Sequence, residues 1–197
     1  MHRLACLVTA GVCVAVVGCH STPPPARAPE PRPALMEQEV DLSPFFEVAD
    51  AEGTFVVLDP GGGRIIRHNP QRAARRFAPV STFKIPNAII ALETRVAPDA
   101  DFLLPYRADV APRQDWWPAA WAQDQTLASA MRDSVVWYYQ EIARRIGPER
   151  MQTYVDRFDY GSRTITGPVD QFWLNGTLQI SADEQVQFLR RFYFGEL

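Results

Sequence analysis

Ser81 and Lys84 stand three residues apart in Val80-Ser81-Thr82-Phe83-Lys84-Ile85-Pro86-Asn87. A hydroxyl beside an amine is one of the pairings that produce an activated serine nucleophile. Lys84 is the only lysine in the sequence, every other member of the 20 Lys+Arg residues being arginine. Arginine serves equally well for solubility and ion pairing, but its guanidinium does not give up a proton in a protein, whereas a desolvated lysine does. A chain that uses arginine elsewhere and lysine here reads as one that needs a base at position 84.

The remaining reactive side chains narrow the chemistry. His2, His20, Cys6, Cys13 and Cys19 all fall in an N-terminal leader or its junction. His68 is therefore the only histidine left for a Ser-His-Asp triad, no cysteine is left to act as nucleophile, and a zinc site of the usual kind lacks ligands. A serine activated by a lysine is what remains.

A helix must position that pair, since side chains at i and i+3 share one face. If Ser81 opens it, the hydroxyl and backbone N–H sit at the positive end of the helix dipole, where a developing oxyanion is stabilised. Ile85, Ala88, Ile89 and Leu92 follow at i, i+3, i+4 and i+7 and predict the buried face. Pro86 lacks the N–H that would bond back to Thr82, so the first turn is expected to be irregular.

Before this helix, Gly53–Asp59 reads as a buried strand, Pro60-Gly61-Gly62-Gly63 as a turn, and Arg64–Arg67 as the returning strand. After it, residues 98–122 show no period. They hold Trp116, Trp117 and Trp121, which form either a cleft wall or a packed cover, the cover being favoured. Residues 127–146 predict a helix with a break, containing Ser134-Val135-Val136 and burying Val135, Tyr138, Tyr139, Ile142 and Ile146. Gly147-Pro148 ends it and starts another with Met151, Tyr154, Val155 and Phe158 inward. Ser181 and Glu184 form a capping box for a last helix expected to bury Val186, Leu189 and Tyr193.

Residues 1–18 have an export leader's plan: Arg3, then an apolar run from Leu4 to Val17 too short to cross a bilayer. Val16-Val17-Gly18-Cys19 resembles a lipobox, with Cys19 the lipidated first residue, the alternative being ordinary cleavage nearby. Residues 19–34 are a proline-rich linker, either a tether or a plain tail. From residue 35 the composition is that of one globular domain. With net charge −3 and no basic patch, the chain does not read as a nucleic-acid binder.

Ser81-Thr82-Phe83-Lys84-Ile85-Pro86-Asn87, Ser134-Val135-Val136, Tyr160-Gly161 and Phe172-Trp173-Leu174-Asn175-Gly176, in this order and spacing, resemble the oxacillinase-type class D β-lactamases. More distantly the chain is similar to penicillin-binding transpeptidases and β-lactam sensors. The resemblance implies an α+β fold of the serine β-lactamase and penicillin-binding-transpeptidase type, helices packed on an antiparallel sheet, over residues 35–197. It implies hydrolysis of penicillin-type small molecules through an acylated Ser81, with Lys84 as base in the form of N6-carboxylysine. No cofactor is implied beyond the carbon dioxide for that modification, and no metal. Ser134 would relay a proton to the departing nitrogen, Val136 would exclude water, Trp173 would hold the carboxylated lysine, and Tyr160 would belong to the family's Tyr-Gly-Asn motif, with Ser162 in place of its asparagine. The implied location is exported and periplasm-facing, touching a membrane only through a lipid anchor at Cys19. The family's Lys-Thr/Ser-Gly strand has no counterpart here, because there is no second lysine. The chain is therefore expected to be truncated at its C-terminus, with the C-terminal strands of the sheet missing and the helix face that should pack on them exposed.

Overall fold

A computed structural model of the chain describes residues 35–197; the leader, Cys19 and the proline-rich linker lie outside the described residues. The expected hairpin is present as β2 (Phe55–Asp59) and β3 (Arg64–His68), paired antiparallel from Phe55↔His68 to Asp59↔Arg64. Its turn is held by Asp59, whose carboxylate accepts from the Gly62 N–H at 2.8 Å and from the Arg64 guanidinium at 3.2 Å. Sequence periodicity misses β1 (Met36–Glu39), which joins β3 in parallel to give the order β1-β3-β2. Its four residues are all exposed, so no apolar alternation marks it. The expectation that β2 is buried fails on one face. It is an edge strand, and Phe55 and Val57 are 46% and 37% exposed.

The helices form the larger core. After α1 (Ser43–Glu47) and α2 (Pro70–Ala74), a 3₁₀ turn, Val80–Phe83, runs directly into α3 (Lys84–Glu93). The irregular first turn expected from Pro86 is thus this tighter winding. The buried face of α3 differs from the expected stripe. Ala88 is buried, but Ile85 and Ile89 are only partly so and Leu92 is 39% exposed, while Phe83, Lys84, Asn87, Ile90 and Ala91 are inside. Apolar periodicity cannot see this face because two of its positions are polar.

The broken helix is α4 (Leu127–Arg132) and α5 (Val136–Ile146), and Ser134 lies in the break. The five expected stripe residues are all buried, Val135 just before α5 and the other four within it. Gly147, at φ +82°, ends α5, and Pro148 begins α6 (Pro148–Arg157), which buries Met151 and Val155, with Phe158 buried just beyond it and Tyr154 partly covered. Two short ladders tie the loops. Arg76–Phe77 (β4) pairs with Ile180–Ser181 (β7), and Leu103–Leu104 (β5) pairs with Gln125–Thr126 (β6).

The capping box of α7 (Ala182–Tyr193) forms as expected: the Ser181 hydroxyl accepts from the Glu184 N–H, and the Glu184 carboxylate accepts from the Ser181 N–H at 2.9 Å. Its rotation does not follow the expected stripe. Phe188 is fully buried, whereas Leu189 and Tyr193 are 37% and 81% exposed. Phe188 meets the rings of Phe158 and Tyr160 at 5.8 and 5.0 Å, and that aromatic contact sets the inward side. Val186, Leu189 and Tyr193 turn instead toward Val57 and Leu58, lining with them an open groove of about 500 Å³.

Candidate active site

The Ser81 turn is held under backbone strain. Val80, immediately before it, has φ +42°, where a β-branched residue is an outlier and persists only if its surroundings fix it. The fixing contact is the Val80 N–H, which donates to the Trp173 carbonyl at 3.0 Å. On the other side, the Thr82 N–H and hydroxyl both donate to the Pro79 carbonyl, at 3.0 and 2.7 Å. The Ser81 N–H makes no backbone hydrogen bond among the described residues, which leaves it free at the head of the helix.

Lys84 and Ser134 converge on the Ser81 hydroxyl. Lys84 Nζ donates to Ser81 Oγ at 2.8 Å, and Ser134 Oγ donates to Ser81 Oγ at 3.1 Å. Lys84 is 2% exposed and forms no ion pair among the described residues, and burial pulls its pKa from 10.5 down to about 8. Near neutral pH the amine therefore gives up its proton far more readily than an ordinary lysine. When it is free, the bond reverses and Ser81 O–H donates to the nitrogen lone pair, which is the geometry of proton abstraction.

Ser134 reaches Ser81 because it is not helical. Its φ is +55°, and this single left-handed residue ends α4 and redirects the chain into α5. Neither glycine nor proline marks this break in the sequence. Val136 is the first residue of α5, partly buried and packed against the core, next to the fully buried Val135.

Behind the nucleophile lies an aromatic group centred on Phe83, which the sequence analysis passed over. Its ring meets Trp173 stacked at 5.4 Å and Tyr160 and Phe172 edge-on at 5.6 and 5.0 Å. The signal was present, since Phe83 sits between Ser81 and Lys84 in the motif itself. Tyr160 is fully buried. Its hydroxyl donates to the Gln185 side chain at 2.9 Å, and burial raises its pKa to about 12, so it stays neutral. The next residue, Gly161, has φ +55°, and a Cβ there would lie 2.1 Å from the Gln179 carbonyl oxygen, so only glycine fits. Ser162 pairs with Gln179 in both directions, its N–H donating at 2.7 Å and its hydroxyl accepting at 3.1 Å. Serine thus holds this loop in place of the motif's asparagine.

Two further residues beside Lys84 were also missed as site residues. Tyr139 places its ring centre 5.9 Å from Lys84 Nζ, and its hydroxyl is buried without a partner. Asn87, one turn along α3, donates to the Tyr139 carbonyl at 3.2 Å. His68 is no part of this group. It stacks on Phe46 at 5.1 Å, and its Nδ1 accepts from the Leu42 N–H at 3.2 Å. A cavity of about 820 Å³ surrounds His68, Phe46 and Asp41 and is lined by neither Ser81 nor Lys84. Geometry, and not cavity size, identifies the reactive centre.

Comparison with known proteins agrees with this geometry. Residues 53–197 match the family described as penicillin binding protein transpeptidase domain. The chain is 41% identical over 151 residues to probable β-lactamase YbxI of Bacillus subtilis (strain 168), covering 77% of this chain and 55% of that protein. It is 42% identical over 147 residues to β-lactamase OXA-48 of Klebsiella pneumoniae, covering 75% and 54%. The solved C-terminal domain of the Bacillus licheniformis BlaR penicillin-receptor superposes with a TM-score of 0.75 at 33% identity, over 83% of this chain and 64% of that one. The chain spans about half the length of the curated relatives it matches. With its serine, its buried lysine and its second serine brought together on the matched segment, the chain belongs to the penicillin-binding-protein transpeptidase-domain family and is a homologue of the class D β-lactamases.

Proposed function

We propose that the protein hydrolyses β-lactam antibiotics of the penicillin type through an acyl-enzyme on Ser81, and so confers resistance to them. The observation that carries this reading is the 2.8 Å contact between Ser81 Oγ and the nitrogen of a buried lysine whose pKa is pulled down to about 8. Lys84 removes the Ser81 proton as Oγ attacks the lactam carbonyl carbon. The unbonded Ser81 N–H receives the oxyanion at the helix head. Ser134 gives its hydroxyl proton to the lactam nitrogen and takes one back from Lys84, so the C–N bond breaks and an ester on Ser81 remains. Water then cleaves the ester, its proton passing to the same base, and Ser81 is regenerated.

The residues at the site fit carboxylation of Lys84. A buried amine with a lowered pKa is the form that adds carbon dioxide, and the ring of Tyr139, whose buried hydroxyl has no partner among the described residues, is centred 5.9 Å from Lys84 Nζ. When present, this group supplies a proton acceptor at pH values where most of the amine is protonated. Trp173, whose role the family resemblance implies, and Tyr139 are the residues we assign to holding it. Val136, at the head of α5, is assigned to excluding water. Export is part of the proposal: a lipoprotein-type leader ending before Cys19, a lipid on Cys19, and a periplasm-facing domain anchored only by that lipid. Palmitate labelling of the wild type and its loss in Cys19→Ala is the expected result, and equal labelling of both rules the anchor out.

The function is tested by mass spectrometry after exposure to benzylpenicillin. The expected result is a covalent adduct on Ser81, absent in Ser81→Ala, followed by steady turnover. An acid-treated sample should regain its rate on adding bicarbonate, and an unchanged rate counts against the carboxylated base. A second reading is favoured by the structural likeness to the BlaR penicillin-receptor. In that case one equivalent is bound in a burst and no steady state follows.

A further inference from the structure

Ser134 aims its hydroxyl at Ser81 from a left-handed backbone, which is unfavourable for a residue bearing a Cβ. Such a conformation lasts only where its neighbours determine it. On the nitrogen side they are clear: the Ser134 N–H donates to the Met131 carbonyl at 3.3 Å and the Val135 N–H to the Ala130 carbonyl at 2.9 Å. The peptide that precedes Ser134 is held from elsewhere. Its carbonyl oxygen, that of Asp133, accepts from the indole N–H of Trp121 at 2.8 Å. The Asp133 carboxylate is occupied by Arg132 and does not compete for that donor.

Trp121 is itself fixed. It is 6% exposed, and its own carbonyl accepts from the Trp137 indole at 2.7 Å. Trp137 belongs to the first turn of α5, so the contacts close a ring from α5 through Trp121 and Asp133 to Ser134 and back to α5. Trp116 and Trp117 pack edge-on and tilted against the Trp121 ring at 5.5 and 5.4 Å and limit its movement.

We infer that Trp121 is a positioning residue whose indole N–H, by holding the Asp133 carbonyl, sets the peptide that points Ser134 Oγ at Ser81 Oγ. The inference rests on the reading of Ser81 as the acylated group, and its test separates the two. In the full chain, Trp121→Phe keeps an aromatic ring and removes the donor. Benzothienylalanine at position 121 keeps the indole shape without the N–H and covers the case in which phenylalanine disturbs folding. Either change should slow acylation by benzylpenicillin roughly tenfold to a hundredfold while leaving its noncovalent affinity near the wild-type value. In a Ser134→Ala background the same change should cost nothing further, because Trp121 acts through that hydroxyl. A tryptophan that merely stabilises the fold would slow both backgrounds alike, which overturns the inference. Hydrogen exchange at the Ser134 and Val135 amides supplies a readout free of chemistry and should quicken on loss of the donor while α5 stays protected. Unchanged exchange there overturns the inference even if the wild type is never acylated, an outcome that by itself would sink only the reading of Ser81.

Discussion

Replacing Lys84 with methionine is expected to slow acylation about a thousandfold and, at neutral pH and against the uncarboxylated wild type, to make the fold more stable by about 3 kcal/mol. The first effect follows from loss of the one amine that touches Ser81 Oγ among the described residues, its other side-chain partner there being a hydroxyl. The second follows from burial. Lys84 is 2% exposed, and its pKa falls from 10.5 in the ordinary case to about 8, so the folded chain holds an ammonium less comfortably than the unfolded chain does. That difference corresponds to about 3 kcal/mol, since each pKa unit is worth 1.36 kcal/mol. Below pH 8 both states are protonated and the cost is present in full. Between pH 8 and 10.5 the unfolded chain binds more protons, so wild-type stability climbs and the gap to the methionine variant closes. Methionine has nearly the same length and leaves no large hole. Denaturant midpoints from pH 6 to 10.5, with acylation rates alongside, check both effects. Lys84→Arg separates charge from basicity: it keeps a cation and should be as poorly acylated as the methionine variant, because guanidinium does not deprotonate. A rapidly acylated arginine variant would end the case for a base at this position.

Phe188→Ala should destabilise the fold by about 3–5 kcal/mol, whereas Tyr193→Ser, on the same helix, should change it by less than about 0.5 kcal/mol. The sequence pattern orders them the other way. Phe188 is fully buried against Phe158 and Tyr160, and its removal opens a hole beneath the loop that carries Tyr160. Tyr193 is 81% exposed. The two urea midpoints decide it, and equal losses would mean that α7 does not present Phe188 to the core.

Those two residues show what the sequence could and could not disclose. Local rules sufficed wherever one element set its own form. Asp59 and the glycines specify the β2–β3 turn, Ser181 and Glu184 cap α7, Gly147-Pro148 separates α5 from α6, and the α5 stripe is regular. Ser81, Lys84 and Ser134 were legible as a set through the family resemblance, and the structure brings their polar atoms within hydrogen-bonding distance. What failed needed partners distant in sequence. β1 is visible only through its pairing with β3, and the rotation of α7 depends on rings contributed by Phe158 and Tyr160. The α3 stripe was displaced because a buried amine and a buried amide occupy positions that an apolar count reads as solvent-facing. Ser134 reads as helical for a related reason: no glycine announces its left-handed backbone, which the Trp121, Met131 and Ala130 contacts impose from outside.

That the one lysine is also shut inside gives experimenters a probe they do not have to install. Apart from the chain's own α-amine, a reductive methylation reagent has a single amine to react with, and it can do so only during the moments when the pocket gapes. The pace of labelling is then a clock for that breathing, and a ligand lodged over Ser81 should slow it. For the same reason, isotope-labelled bicarbonate should give one side-chain carbamate signal, with no background from other lysines to subtract.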